Sequence, residues 1–418
     1  MEKIRKPRGT QDIFSPEVET WVKIESTARR VAARYGYREI RVPTFEELGL
    51  YSRGVGETTD VVQKEMYVFK DREERSFALR PEGTAGVVRA IIENGKCSDT
   101  MPMKLFYLIN CFRYEKPQAG RSREFFQFGT EMFGAADASA DFTVISLAAS
   151  LIRELGIKNT SLHINSIGCP NCRPAYRENL VAYLKAHESE LCETCRDRME
   201  QNPLRVLDCK IDGCKKVAEG APRTVDNLCG DCRAHLEKLE ASLKAAGVEY
   251  EIDPHIVRGL DYYTRTVFEF IADGIGAQST ICGGGRYDGL VKELGGPELP
   301  AVGFAMGISR LILAMEASGV AAPEVEAPVL YVAPMGDAAQ REALRITEEL
   351  RAAGVYAECD VAGRGLKAQM KYADKIGAKY TLIIGDDELA AGKAQLRSMA
   401  DSEQTEIALA DVSARFAD

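Results

Sequence analysis

The sequence predicts an α+β protein: an antiparallel-sheet domain, a helical cysteine-rich insertion within it, and a small α/β domain towards the carboxyl end. Three observations predict this class. Residues 104–111 (KLFYLINC) and 125–133 (FFQFGTEMF) read as strands joined by a polar, Gly-containing loop rich in Arg and Lys, the order and spacing of an antiparallel pair. Between residues 169 and 247 the texture changes to cysteine pairs and charged helices. Beyond residue 329, strand-like and helix-like runs alternate, as in a mainly parallel sheet.

The elements follow in chain order. Residues 17–35 set Val18, Val22, Ile24, Ala28 and Val31 at near-helical spacing, and Gly36 ends the helix. Residues 37–48 (YREIRVPTFEEL) are β-like, with Pro43 fitting an edge or a break rather than a central strand. Residues 79–86 (LRPEGTAG) turn into a helix that continues through VVRAII. Residues 258–269 (RGLDYYTRTVFE) read as a strand, on which adjacent Tyr262 and Tyr263 face opposite sides, so that only one lines a given pocket. Residues 282–290 (CGGGRYDGL) read as a glycine-dense turn that lets backbone approach a ligand closely. Residues 303–313 (GFAMGISRLIL) lead from a strand into a helix, and 317–328 (ASGVAAPEVEAP) form a linker. The last part runs VLYVAP, a helix through Arg351, VYAECD, a helix through Ile376, YTLIIGD, then one final strand and helix. The expected boundaries are 1–168 and 248–320 for the two parts of the sheet domain, 169–247 for the insertion, and 328–418 for the final domain.

Composition narrows the function classes. A chain of 418 residues exceeds one ordinary core, and 45% hydrophobic with 28% charged residues is globular, neither disordered nor membranous. No apolar run reaches membrane-spanning length, and the start MEKIRKPRGT lacks the apolar core of a secretion signal, so cytoplasmic residence is expected. A net charge of -9 argues against indiscriminate nucleic-acid binding, while a local basic surface still suits RNA. Twelve cysteines without an export signal favour free thiols or metal ligands over disulfides.

Several segments carry chemistry. Residues 112–128 (FRYEKPQAGRSREFFQF) hold Arg113, Glu115, Gln118, Arg121 and Arg123, either a solvated hairpin or a phosphate and adenine site. Arginine offers a planar, permanently charged fork that suits phosphate oxygens. Glu82 and Thr84 either cap a helix or face a ligand. Arg310 stands near the start of the helix after residue 307, and Arg258 precedes the tyrosine pair. The cysteines form CxxC pairs Cys169/Cys172, Cys192/Cys195 and Cys229/Cys232, with a wider pair Cys209/Cys214. The gap between Cys172 and Cys192 lies in the range of structural zinc sites. Two closed Cys₄ sites use all eight thiols and brace an insertion lacking a large core, the alternative being free thiols, and the partnering of the pairs stays open.

Together these segments resemble the histidyl-tRNA synthetases. RGLDYYTRTVFE and CGGGRYDGL are similar to the family's two histidine signatures. Residues 36–48, 112–128 and 303–313 look like motifs 1, 2 and 3 of class II aminoacyl-tRNA synthetases. The cysteine-rich stretch departs from the commonest family pattern. The resemblance implies a class II antiparallel-sheet catalytic domain and a carboxyl-terminal anticodon-binding domain. The implied activity is ATP-dependent formation of histidyl-adenylate with Mg²⁺, then transfer of histidine to the 3′ end of histidine tRNA, in a homodimer. The implied roles are Arg113 on the α-phosphate, Arg310 on the far phosphate oxygens, and Arg258 bridging the substrate carboxylate and α-phosphate. Glu115 and Arg121 belong to the ATP site. Glu131 and Tyr263 face the imidazole nitrogens, which need one donor and one acceptor when neutral. Tyr262 and Tyr287 shape that pocket, and Gln127, Glu82 and Thr84 lie near the ammonium group. Gln118, Arg121 and Arg123 are the expected set near the RNA acceptor end, the insertion is expected against the acceptor arm, and the basic helix in 363–380 faces the anticodon. The four histidines of the chain lie outside these motifs. Two other readings compete: a non-catalytic paralogue such as the regulatory subunit of ATP phosphoribosyltransferase, and a zinc-dependent nucleic-acid-binding module. The first lacks an anticodon-binding domain and tends to lose catalytic arginines, and the second explains only the cysteines.

Overall fold

Helix α1 (Glu17–Arg34) forms because Trp21, Ile24, Ala28, Val31 and Ala32 fall on one face and are buried together. Val22, expected on that face, is instead exposed, and Trp21 takes its place with an edge-on contact to Phe126. Gly36 ends the helix at φ +80°, a conformation that costs glycine little. A computed structural model describes residues 3–416 apart from 57–58, 208, 210, 257 and 277–278. The chain divides into two compact units, Met1–Pro323 and Glu324–Asp418.

In the first unit, the β-like stretch around Pro43 splits between two sheets. Strand β1 (Arg38–Glu39) joins the main sheet, whereas β2 (Phe45–Glu47) belongs to a small antiparallel sheet with β3 (Val68–Lys70) and β4 (Ser76–Leu79), ordered β2-β4-β3. Proline breaks the run because it has no N–H to donate. Helices α2 (Leu48–Val55) and α3 (Thr84–Glu93) follow β2 and β4.

The main sheet has eight strands. To β1 it adds β5 (Met103–Phe112), β6 (Glu124–Phe133), β7 (Thr160–Ser166), β8 (Glu251–Ile252), β9 (Thr264–Ala272), β10 (Thr280–Arg286) and β11 (Ala301–Gly307). Their order is β1-β5-β6-β11-β10-β9-β7-β8, antiparallel throughout except at the two edges. Helix α4 (Ala138–Glu154) links β6 to β7. Five helices separate β7 from β8: α5 (Arg173–Ala186), α6 (Glu193–Gln201), α7 (Leu204–Leu207), α8 (Asp212–Glu219) and α9 (Gly230–Ala245). Helix α10 (Leu290–Glu293) follows β10, and α11 (Ile308–Ala317) follows β11.

Period-two alternation sorts the sheet into two faces. Phe106, Phe128, Met132, Phe268 and Phe304 pack towards α1, α4 and α11, forming the largest core. Leu236, Leu239 and Leu243 of α9 join that core, so the last helix of the cysteine-rich region is anchored on the main unit. The other face presents Gln127, Glu131 and the cleft described below.

The structure departs from two local expectations. The triple glycine is strand, not turn: residues 283–285 occupy the middle of β10 between β9 and β11. A Cβ on Gly284 would overlap the Gly303 carbonyl oxygen, so only glycine lets these strands pair this closely. Tyr262 and Tyr263 precede β9 in a turn, so strand alternation does not apply and both line the same cleft.

The second unit has a five-stranded sheet ordered β13-β12-β14-β15-β16, from β12 (Leu330–Pro334), β13 (Ala357–Cys359), β14 (Tyr380–Ile384), β15 (Lys393–Ser398) and β16 (Gln404–Ala408). Its helices are α12 (Asp337–Ala352), α13 (Leu366–Lys375), α14 (Asp386–Ala391) and α15 (Val412–Phe416). Strand β12 is parallel to β13 and β14, but β15 and β16 are antiparallel, where one final strand was expected. Ala394 and Leu396 are buried in alternation along β15, enough to hold a hairpin on the sheet edge. No helix among the described residues is long and apolar enough to cross a membrane.

Candidate active site

A cleft of about 520 Å³ opens on the face of the main sheet opposite α1 and α4. Its lining contains twelve of the fourteen predicted substrate-site and RNA-contact residues, drawn from segments more than 200 positions apart; Gln118 and Arg123 lie outside it.

One end is cationic. Arg113 at the end of β5 donates from Nε to the Pro81 carbonyl at 2.9 Å, and its guanidinium stands 5.3 Å from the Phe125 ring. Arg121, from the β5–β6 connection, pairs with Glu115. Arg310, in the first turn of α11, donates from Nη1 to the Thr280 carbonyl at 2.8 Å. Burial lowers the pKa of Arg310, and the guanidiniums of Arg121 and Arg113 lower it further. Three permanently charged forks held this close repel one another, and an anion between them removes that cost. Glu65, not singled out in the sequence, lines the same end; burial and the Glu115 carboxylate raise its pKa.

The other end is a pocket of carboxylates and tyrosines. Glu131 on β6 accepts from Thr84 Oγ1 at 2.7 Å, from Tyr107 at 3.2 Å and from Tyr287. Burial pushes its pKa up to about 8. Gly303 lies opposite Glu131 on β11, and any side chain there would overlap its carboxylate. Glu82 accepts from the amides of Thr84 and Ala85 at 2.7 and 2.8 Å, so it caps α3 and lines the cleft at once. Burial raises its pKa. Gln127 takes a hydrogen bond from the Cys111 thiol at 3.4 Å. Tyr262 packs against Tyr263 and Tyr287, with ring centroids 4.7 and 5.5 Å away. Tyr107 was missed; its signal was a lone tyrosine in an apolar strand, indistinguishable from core.

Arg258 lies between the two ends. It pairs with Glu269 on β9, its guanidinium is 5.8 Å from the Tyr263 ring, and Thr280 Oγ1 donates to the other Glu269 oxygen at 2.8 Å. Burial alone would lower the pKa of Arg258, but the Glu269 carboxylate, Tyr263 and Cys282 together outweigh it and the net shift is upward. Its Nε is buried and donates to no acceptor among the described residues. Gly283 lies against the guanidinium, where a Cβ would overlap it.

Outside the cleft, Gln118 exchanges backbone hydrogen bonds with Arg121 at 3.0 and 2.9 Å. Arg123 stacks 3.8 Å over the Tyr114 ring. Arg286 of the RYD triplet is structural: fully buried, it donates to Asp141 at 2.5 Å and to Asp288 at 3.1 Å. His235 Nε2 of α9 lies 3.3 Å from the same Asp141 carboxylate, which gives one of the chain's histidines a buried polar neighbour.

The eight paired cysteines gather into two groups, Cys169/Cys172/Cys229/Cys232 and Cys192/Cys195/Cys209/Cys214, with all sulfurs of a group within 4.8 Å of one another. The fold therefore does not join Cys172 to Cys192 across the gap whose length suggested a zinc site. In the first group the Sγ atoms of Cys169–Cys172, Cys172–Cys232 and Cys169–Cys229 are each 3.8 Å apart. A tetrahedron with metal–sulfur bonds of about 2.3 Å has edges of about 3.8 Å, so the spacing fits zinc.

In the second unit, Lys367, Lys371 and Lys375 are exposed at four-residue intervals along α13. Arg364 pairs with Asp360 at 2.7 Å and stacks on Tyr372.

A sequence model described as histidyl-tRNA synthetase matches residues 9–311, and one described as an anticodon binding domain matches residues 330–418. The chain is 54% identical over 403 residues to the histidine–tRNA ligase of Acetivibrio thermocellus, covering 96% of this chain and 97% of that protein. It is 51% identical over 408 residues to that of Caldanaerobacter subterraneus, covering 98% of each. Among solved structures, apo histidyl-tRNA synthetase of S. aureus is 37% identical with a TM-score of 0.85 and full coverage of both chains.

Proposed function

Because the chain belongs to the histidyl-tRNA synthetase family and joins histidine to tRNA, we propose that its cleft has a phosphate end on Arg113, Arg121 and Arg310, a histidine end on Glu131 and Tyr263, and Arg258 between them. In the first step a carboxylate oxygen of histidine attacks the α-phosphorus of ATP, and the bond to the leaving pyrophosphate breaks. In the second, a hydroxyl of the terminal ribose of the tRNA attacks the histidyl carbonyl carbon, and AMP leaves. Negative charge gathers in both, so positioning and fixed positive charge do most of the work.

The observation that carries these assignments is the unsatisfied Nε of Arg258, buried between a cationic end and a carboxylate end. An oxygen shared between histidine and the α-phosphate supplies that acceptor. Arg113 takes the α-phosphate, Arg310 the far phosphates, and Glu115 with Arg121 the rest of ATP. Glu131 and Tyr263 meet the two imidazole nitrogens, with Tyr262 and Tyr287 closing the walls. Gln127, Glu82 and Thr84 sit by the ammonium group. A site of this kind rejects analogues that leave its polar groups unpaired.

Ligation implies ATP and a divalent metal, which we take to be Mg²⁺. When bound it offsets phosphate charge, and Glu65 with Glu115 are the cleft carboxylates that fit it. The two cysteine groups are assigned structural zinc, the first on its 3.8 Å sulfur spacing and the second on four sulfurs gathered within 4.8 Å. The tRNA is assigned to the lysine face of α13 and to Gln118, Arg121 and Arg123. A homodimer is supported by an aromatic patch on the small sheet. There Phe45, Val68 and Phe69 are 50%, 51% and 40% exposed, and the Phe45 ring is 5.7 Å from both Phe69 and Phe77. Contiguous exposed aromatics mark an interface, here with a second copy of the chain. Cytoplasmic residence completes the reading. The regulatory-paralogue alternative is disfavoured by the match to an anticodon-binding domain and by the three arginines together in one cleft. Histidine-dependent exchange of pyrophosphate into ATP tests the site; folded protein without exchange would reverse the reading.

A further inference from the structure

The two cysteine groups flank one short segment of the catalytic unit, residues 258–263, and their neighbours hold it. Next to Cys172, Arg173 donates to the Tyr263 carbonyl and, from Nε, to the Ile167 carbonyl at 3.3 Å. The second group closes a short arm. Cys192 and Cys195 open α6, Cys209 follows α7, and Cys214 lies in α8. From that arm Asn202 donates to Asp261 at 2.9 Å, and Arg205 Nη1 lies 3.5 Å from the Arg258 carbonyl. Arg198 Nη2 donates to both oxygens of Asp60 at 2.7 Å, and Arg205 Nη2 reaches the same carboxylate at 3.3 Å. Asp60 and Arg205 both line the main cleft.

A cavity of about 260 Å³ lies between arm and segment, lined by Arg173, Asn202, Arg205, Arg258 and Tyr263 among others. Contact is therefore made through polar tethers, and their reach depends on the arm keeping its shape. The arm's own core is small, and Cys195 and Cys214 are members of it. A core of this size needs a covalent or metal staple.

We infer that zinc in the Cys192/Cys195/Cys209/Cys214 group braces histidine binding: it fixes the α6–α7 arm, and the arm fixes the segment that carries Arg258 and Tyr263. This rests on the assignment of that segment to the histidine end of the cleft. It gives the insertion a part in the first half-reaction, which needs no tRNA, and makes Arg198, Asn202 and Arg205 positioning residues.

The test combines metal analysis by mass spectrometry with histidine-dependent pyrophosphate exchange in the absence of tRNA, on the full chain. The unsubstituted protein should hold two zinc ions per chain, and Cys192→Ser/Cys195→Ser should hold one. In that variant and in Arg198→Ala, KM for histidine should rise about tenfold, the effect of losing a charge-assisted tether, with KM for ATP within about twofold. Arg198→Ala should keep both ions, and Arg198→Lys should recover part of the loss. An unchanged KM for histidine after loss of one zinc overturns the inference, as does an equal rise in both KM values. Should the cysteine variant not fold, Arg198→Ala decides, an unchanged KM for histidine again overturning it. The site assignment fails separately, through absence of exchange in the unsubstituted protein.

Discussion

Substituting Gly283 by alanine should cost far more in activity than in stability. A Cβ at this position would lie 2.5 Å from Arg258 Cζ, against 3.4 Å or more for an ordinary contact. The guanidinium must therefore retreat by roughly 1 Å, and displacement of a positioned group by that much typically costs about 100-fold in rate. Because the obstructed atoms are the far end of a flexible side chain, the strand itself can stay in place. Pyrophosphate exchange at saturating histidine and ATP should fall about 100-fold in Gly283→Ala, with Tm nearly unchanged. Gly284→Ala is the contrast: its Cβ would meet the Gly303 carbonyl and the Phe304 and Phe268 side chains, so that variant should lose stability first. Exchange within about threefold of the parent in Gly283→Ala would refute the idea that the position of Arg258 sets the rate.

Three further outcomes are expected. Glu131 holds its proton to about pH 8 in the folded protein, against an ordinary value of 4.5. Native protein therefore binds the extra proton between those values, and the stability of the parent relative to Glu131→Gln should decline as pH rises from about 4.5 to about 8, then level off. Parallel melting curves across that window would show that burial does not hold the proton. Reversing charge at Lys371 and Lys375 together should raise KM for tRNA about tenfold while leaving pyrophosphate exchange untouched, and a change in exchange would remove α13 from the RNA-binding surface. Phe45→Asp with Phe69→Asp should give monomers in sedimentation at micromolar concentration, and an intact dimer would show that the small sheet is not the interface.

The arginines between two apolar strands fitted a solvated hairpin as well as a phosphate site, and the resemblance to the class II motifs is what singled them out; the structure gathers Arg113, Arg121 and Arg310 at one end of the cleft. Glu131 and Gln127 came from the same resemblance, and the β5–β6 register places both on the cleft face. Tyr262 and Tyr263 were misread because alternation assumes an extended chain, and the turn before β9 breaks it. The triple glycine was misread for a related reason. Glycine's local preference favours turns, and the groups that require it within this strand, the Arg258 guanidinium and the Gly303 and Thr266 carbonyls, are distant in sequence. Cysteine pairing depends on where the chain returns after α8, which spacing does not encode. Glu65, Glu269, Asp60 and Arg205 look like ordinary charged residues. Of these Glu269 alone had a signal, as the single charge in the run TVFEF beside a buried arginine in need of a partner. The hairpin of β15 and β16 escaped notice because only Ala394, Leu396 and the partly buried Ile407 mark its inner face.

The order of strands in the main sheet has a consequence for how the protein is made. Strand β6, with the apolar sequence EFFQFGTEMF, pairs on one side with β5, its immediate predecessor, but on the other with β11. About 170 residues must leave the ribosome between the two, which at about 5–20 residues per second leaves one edge of β6 open for roughly 10–30 s. Such an edge is a template for wrong pairing. The insertion fills nearly half of that interval, and zinc in the group Cys169/Cys172/Cys229/Cys232, as proposed above, would tie together the points where the chain leaves β7 and comes back through α9. Closing that loop early shortens the chain that β9, β10 and β11 must traverse to find their neighbours, and lowers the entropy lost when they do. On the proposed zinc assignment, the supply of metal during synthesis would then help set how many chains reach the native sheet before the open edge of β6 finds another partner.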